Sequence, residues 1–146
     1  MKEIILVDID HTISDAFHRD QMIGIAPWDE YHSASEHDDP AHDFVKIMES
    51  FRTHGFKIVG LTSRPEKWRK LTNDWLFKHG IHLDMLIMRP NDNYNRTGEL
   101  KVSLCREIFG ADWKEKVLCM IDDNENVIAA FRAENVTCLQ IFNKTK

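Results

Sequence analysis

Five short apolar runs, separated by stretches with helical spacing, constrain this chain more than any other feature. The runs Glu3–Val7, Phe56–Leu61, Asp84–Met88, Lys116–Ile121 and Val136–Ile141 are mostly continuous, as expected of strands covered on both faces. Between them, Phe44, Ile47, Met48 and Phe51 recur at i, i+3, i+4 and i+7. Asp39 is a candidate cap for that helix, Pro40 suits its first position, and Gly55 suits its end. A second helix is predicted from Trp68, Leu71 and Trp75 up to Gly80. A third follows from Leu100, Leu104 and Ile108 up to Gly110, and a fourth from Val127, Ile128 and Phe131. Strands alternating with helices imply an α/β three-layer sandwich around a mostly parallel, Rossmann-like sheet.

One stretch breaks the rhythm. His11 to Asp39 separates the first strand from the first long helix, and a connection of that length is uncommon unless it has a function. Residues 13–39 are read as a small lid beside the site, within one domain spanning 1–146. Hydrophobic residues make up 42% of the chain, enough for one core. No apolar run approaches the roughly 20 residues that span a bilayer. The start, MKEIILVDID, runs into acid and reads as a strand, not a signal peptide.

In open α/β sheets ligands bind at the carboxyl ends of the strands. The first strand runs straight into Asp8-Ile9-Asp10-His11-Thr12. Residues two apart in an extended chain point the same way, so Asp8 and Asp10 should project together. Two carboxylates so close repel, and sharing a divalent cation relieves them; oxygen ligands suit Mg²⁺. The fourth strand ends at Asp122-Asp123. Asp123 or Asn124 could simply cap the next helix, yet acid at two strand ends of one sheet is better explained as one metal site.

The second strand ends at Thr62-Ser63-Arg64 and the third at Arg89-Pro90, with Lys101 beginning the following helix. Hydroxyls and backbone N–H groups before a helix suit a phosphate oxygen, although Thr62 or Ser63 would equally serve as a plain helix cap. A lysine at position 101 can offset both phosphate and carboxylate charge.

Charge narrows the partners. The 24 Asp and Glu against 19 Lys and Arg give a formal charge of −5, which argues against a protein that coats nucleic acid. It leaves room for an enzyme that grips one phosphorylated end. Cys105, Cys119 and Cys138 form no CxxC pair and read as buried, reduced thiols of a cytoplasmic protein. His32, His37, Asp38, Asp39 and His42 fit no standard zinc spacing.

Taken in order, these motifs resemble the haloacid dehalogenase (HAD) phosphohydrolase superfamily. Asp8-x-Asp10-x-Thr12 is similar to its first motif, Thr62 to its second, Lys101 to its third and Asp122-Asp123 to its fourth. A closer likeness is to the phosphatase domain of the bacteriophage polynucleotide kinase/phosphatase. The likeness lies in Thr62 with Arg64, Arg89, the spacing from Arg89 to Lys101, and the segments Trp28-Asp29-Glu30-Tyr31 and Asp38-Asp39-Pro40. Where the family has glycine after the second aspartate, this chain has His11. The segment between Arg89 and Lys101 lacks charged residues common in those relatives. No GxxxxGK[ST] is present, so no kinase half is expected.

The resemblance implies a Mg²⁺-dependent phosphomonoesterase working through an aspartyl-phosphate. Asp8 would be the nucleophile and Asp10 the proton donor and acceptor. Mg²⁺ would be held by Asp8, the backbone carbonyl of Asp10, and Asp123, with Asp122 in support. Thr62 and Lys101 would hold the transferring oxygens. The implied substrate is a phosphorylated nucleic-acid end, most of all a 3′-phosphate, with Thr12, Ser63, Arg64, Arg89, Arg19, Trp28 and Tyr31 as contacts. Trp28 and Tyr31 could instead pack the lid against the body. The alternatives are a nucleotidase acting on free nucleotides and a catalytically silent binding domain. No membrane and no obligate protein partner is implied; the expected location is the cytoplasm, a host's if the chain is phage-encoded.

Overall fold

The computed structural model describes residues 1–142. The first strand, β1 (Ile4–Val7), is buried along its whole length. Ile4 and Leu6 join one apolar cluster and Ile5 and Val7 the other, so the two-residue period of a strand feeds both faces of the sheet. An insert follows: β2 (Ser14–Asp15), α1 (Phe17–Asp20), α2 (Trp28–Ser33), a 3₁₀ turn (Ala34–His37) and β3 (Asp39–Pro40). Then come α3 (His42–Thr53), β4 (Lys57–Pro65), α4 (Arg69–Lys78), β5 (Met85–Arg89), α5 (Thr97–Phe109), α6 (Trp113–Lys116), β6 (Val117–Asp122), α7 (Glu125–Ala133) and β7 (Cys138–Gln140).

The main sheet has the order β5-β4-β1-β6-β7, and every pairing is parallel. One face carries Leu6, Leu61 and Met120 against Leu100, Leu104 and Phe131 of α5 and α7. The other carries Ile5, Ile58 and Ile121 against Phe44 and Met48 of α3 and Trp75 and Leu76 of α4. This is the three-layer α/β sandwich with a parallel, Rossmann-type sheet expected from the sequence. The chain lays strands outward from β1 through β4 to β5, then crosses to place β6 and β7 on the other side. That reversal opens a crevice at the carboxyl end of β1.

Several expectations shift. Asp39 and Pro40 do not start α3: they pair antiparallel with Asp15 and Ser14, and the Ala41 N–H donates to the Ile13 carbonyl at 2.8 Å. These residues close the base of the insert, and α3 begins at His42 without a side-chain cap. Ile47 and Ile108 are about half exposed, so the buried stripes of α3 and α5 are narrower than their spacing implies. The second strand runs four residues beyond Leu61 to Pro65. The cysteines are free, but Cys138 is only half-buried; burial pushes the Cys105 thiol up to about 12.

Candidate active site

The carboxyl ends of β1, β4, β5 and β6 meet at one edge of the sheet, where a cavity of about 1140 Å³ opens. Asp8, directly after β1, is buried. Its backbone N–H donates to the Ile121 carbonyl at 3.0 Å, which fixes it beside the end of β6. Ile9 turns into the core, while Asp8 and Asp10 both line the cavity. His11 takes φ 62°, the left-handed region that glycine enters without steric cost. Its Nε2 lies 2.9 Å from Asp20 Oδ1 and its ring contacts Phe17, interactions a glycine cannot make.

Lys101 organises the acids. Its Nζ donates to Asp8 Oδ1 at 2.9 Å and to Asp122 Oδ2 at 2.8 Å, with all three side chains buried. Gly98, one turn earlier, lets α5 approach α7: a Cβ there would stand 2.8 Å from the Asn126 carbonyl oxygen. Burial opposes charge on Lys101, but Asp8 and Asp122 outweigh it and raise its affinity for the proton. Asp8 is pushed well above the ordinary carboxylate range by burial and then by Asp122, with Lys101 pulling the other way. The Thr12 hydroxyl donates to Asp8 Oδ2 at 3.4 Å.

Asp123 completes a group in which carboxylate oxygens of Asp8, Asp122 and Asp123 all lie within 4.8 Å of one another. Capping of α7 falls to Asn124, whose side chain accepts from the N–H groups of Asn126 and Val127. The all-oxygen donor set and the excess of acid over lysine fit a hard divalent cation such as Mg²⁺. Asp10 contributes no carboxylate to this group.

Asp10 faces the opposite way chemically. A β-bulge in β4, where Thr62 pairs with Met88 but Pro65 with Arg89, turns Arg64 inward. Arg64 Nε and Nη2 donate to Asp10 at 3.2 and 2.7 Å, and Nη1 donates to Thr72 at 3.1 Å. Arg19 Nη2 also donates to Asp10. Burial alone would raise the Asp10 carboxyl, but Arg64 and Arg19 hold it well below the usual range.

Behind both arginines lies Asp38, buried, accepting from Arg19 Nε at 2.9 Å, Arg19 Nη2 at 2.8 Å and His18 Nε2 at 2.6 Å. Arg64 Nη2 lies 3.6 Å from it, and its backbone carbonyl accepts from Trp75 Nε1 at 2.8 Å. The sequence does not mark this role. Asp38 stands in a run of acids before a proline, and nothing in its spacing places it against Arg19.

The remaining sites divide by exposure. Arg19 is fully buried beneath the Tyr31 ring, with Cζ 4.5 Å from the centroid; it braces the insert rather than opening onto the cavity. Tyr31 is buried too, whereas Trp28 is 61% exposed, so packing and an open face are split between them. Thr62 is fully buried, and its Oγ1 accepts the Arg64 N–H at 3.1 Å. Ser63 lines the cavity and hydrogen-bonds Thr97. Arg89 donates to the carbonyls of Ser63, Asn93 and Asn95 at 2.8–3.0 Å, which shapes the loop after β5. Among the other cavity-lining residues are His32, weighed in the sequence only as a zinc ligand and here stacked on Trp28, and Tyr94, on that loop.

Residues 2–145 match the family model of the polynucleotide kinase PNKP phosphatase domain. Among solved structures, the chain is similar to one from the Pnkp1/Rnl/Hen1 complex: 23% identity, 96% of this chain and 46% of that one, TM-score 0.79. A second structure, titled the Pnkp1/Rnl/Hen1 RNA repair complex, gives 23%, 97%, 42% and 0.80. A predicted phosphatase from Clostridium acetobutylicum gives 15%, 96%, 84% and 0.71. These likenesses carry the fold, and the chain spans less than half the length of the Pnkp1/Rnl/Hen1 chains it matches. No curated protein sequence matches significantly. Among the described residues, no helix is long and apolar enough to cross a membrane.

Proposed function

Because the chain belongs to the HAD-like family of polynucleotide kinase PNKP phosphatase domains, we propose that it hydrolyses the terminal phosphomonoester of a polynucleotide, with the 3′-phosphate as substrate. The observation that carries this reading is the Asp8–Lys101–Asp122 cluster at the floor of the cavity.

In this reading Asp8 attacks phosphorus, and the reaction is split into formation and hydrolysis of an aspartyl-phosphate. Asp8, Asp122 and Asp123 would hold Mg²⁺, with the Asp10 backbone carbonyl as a further ligand. When bound, the ion supplies positive charge that offsets repulsion between carboxylate and phosphate. Lys101 keeps one N–H beyond its two carboxylate bonds, and donates it to a phosphoryl oxygen. Thr62, fully buried behind the cavity lining, accepts the Arg64 N–H and holds the end of β4 in place. Positioned charge of this kind supplies most of the catalysis in phosphoryl transfer.

Asp10 carries the proton of the leaving oxygen. In the substrate-free arrangement Arg64 and Arg19 keep it ionised. A phosphate entering the cavity competes for Arg64, and that competition restores the affinity for a proton that a general acid needs.

The test is release of inorganic phosphate, with Mg²⁺, from a 3′-phosphorylated oligonucleotide and from a panel of mononucleotides, with Asp8→Asn as blank. Turnover of the oligonucleotide above the mononucleotides is expected. Reaction with mononucleotides alone would contradict the end-processing reading and make the chain a nucleotidase. No phosphate release from any substrate would leave a binding domain.

A further inference from the structure

The cations lining the cavity are already engaged. Lys101 bridges Asp8 and Asp122, Arg64 is spent on Asp10 and Thr72, and Lys67 pairs with Asp29 at 2.6 Å. Arg89 donates to three backbone carbonyls. Asp20, Asp92 and Asp123 add further acid to the same lining. Carbonyls leave the Arg89 charge intact, but the lining holds seven aspartates against four lysines and arginines, so a strand leading away from its terminal phosphate meets net negative charge at its second and third phosphates.

It finds aromatic faces instead. Trp28 is 61% exposed, and its hidden side stacks on His32, with centroids 5.9 Å apart and planes 26° apart. Tyr31 meets both edge-on, at 5.3 and 5.2 Å, and Trp68 backs His32 at 6.2 Å. Trp28 is thus a braced shelf with one face outward. Burial holds the His32 imidazole neutral, its pKa lowered to about 4, so the shelf adds no charge near neutral pH. On the loop after β5, Tyr94 lines the same cavity and is 88% exposed. The cavity, about 1140 Å³, exceeds the roughly 300–1,000 Å³ usual for a small-molecule site.

Resting on the phosphatase reading above, we propose that Trp28 and Tyr94 determine substrate choice by stacking bases of an unpaired nucleic-acid end, so that the enzyme recognises single-stranded termini through base faces rather than through the phosphate backbone. Base–aromatic stacking is sequence-tolerant, because every base has a π-face. Recognition without backbone neutralisation has a second signature: few counterions are released, so affinity falls little with salt.

The experiment compares a 3′-phosphorylated oligonucleotide with the same strand made abasic at its last two positions. Both are assayed with wild type, Trp28→Ala and Tyr94→Ala at two salt concentrations. Wild type is expected to favour the intact strand in kcat/KM by roughly 5- to 150-fold, the range for one stacked base. The preference should reside in KM and shrink toward one in each variant, and the KM of the intact strand should change less than twofold between the salts. Tyr94 is exposed, so its variant serves even where Trp28→Ala disturbs α2. An unchanged preference in both variants, or a wild type indifferent to base removal, overturns the stacking proposal while oligonucleotide turnover keeps the phosphatase reading alive. A wild type that releases no phosphate from either strand overturns both.

Discussion

Two buried ion clusters sit side by side in this molecule and are built to opposite rules. Around Asp10, two arginines face two carboxylates: Arg19 and Arg64 are shared between Asp10 and Asp38. Around Asp8, Lys101 faces Asp8 and Asp122, with Asp123 within ligand distance of both. The consequence is written in the titration of two aspartates two residues apart. Asp10 is driven down by its guanidiniums and Asp8 is driven up by burial and its acidic neighbour. The balanced cluster braces the insert against the sheet. The unbalanced one stores the demand for a cation that a phosphatase needs.

Breaking the balanced cluster should have the largest effect on stability. Asp38→Asn leaves Arg19 buried with half its countercharge, and removing one partner of a buried pair costs about 3–5 kcal/mol. Chemical denaturation should show that loss, with the insert exchanging its amide hydrogens faster than the sheet. A loss below about 1 kcal/mol would mean that Asp38 is no brace.

Lys101→Met should act mainly on chemistry. It removes the lysine shared by Asp8 and Asp122, and loss of one preorganised charge donor costs roughly 10²–10³ in kcat. Steady-state kinetics with Mg²⁺ should show the fall in kcat; a rise in KM alone would assign Lys101 to binding.

Mg²⁺ should stabilise the unbalanced cluster. Binding to the folded state adds about 2.7 kcal/mol at a hundred times Kd. A thermal shift near neutral pH should therefore rise with Mg²⁺ in wild type and be blunted in Asp123→Asn. Equal shifts in both proteins would place the ion elsewhere.

The last effect is confined to acid. The folded His32 titrates at about 4 because it is buried, against an ordinary value near 6.5. Between those values the unfolded chain binds a proton that the folded chain does not, so stability falls as pH drops through the window. His32→Gln should flatten that part of a melting-temperature profile, and an unchanged slope would remove His32 from the account.

The sheet was legible because burial on both faces leaves continuous apolar runs, as in Ile4–Val7, and because acids at strand ends interrupt them. The same logic located Asp8, Asp10 and Asp122-Asp123, since a parallel sheet brings the ends of its strands to one edge. It could not tell Asp8 from Asp10 in charge balance, which depends on Arg19 and Arg64 arriving from distant segments. Asp38 was invisible for the same reason. Asp39-Pro40 looked like a helix start, because a two-residue strand pairing with Ser14–Asp15 leaves no periodic trace. Tyr94 carries no signal in the sequence and His32 only that of a stray zinc ligand, because a lone aromatic in a loop and a histidine in a short helix have no pattern until the cavity is formed.

In the proposed reaction the unbalanced acid, Asp8, is the group that receives phosphate. Acid-quenching the enzyme during turnover and mapping its peptides by mass spectrometry tests this most directly. One added phosphoryl group is expected on the peptide containing Asp8, and in Asp8→Asn neither that adduct nor turnover. Wild-type turnover by Asp8→Asn, or a phosphoryl group trapped on another residue, would contradict it.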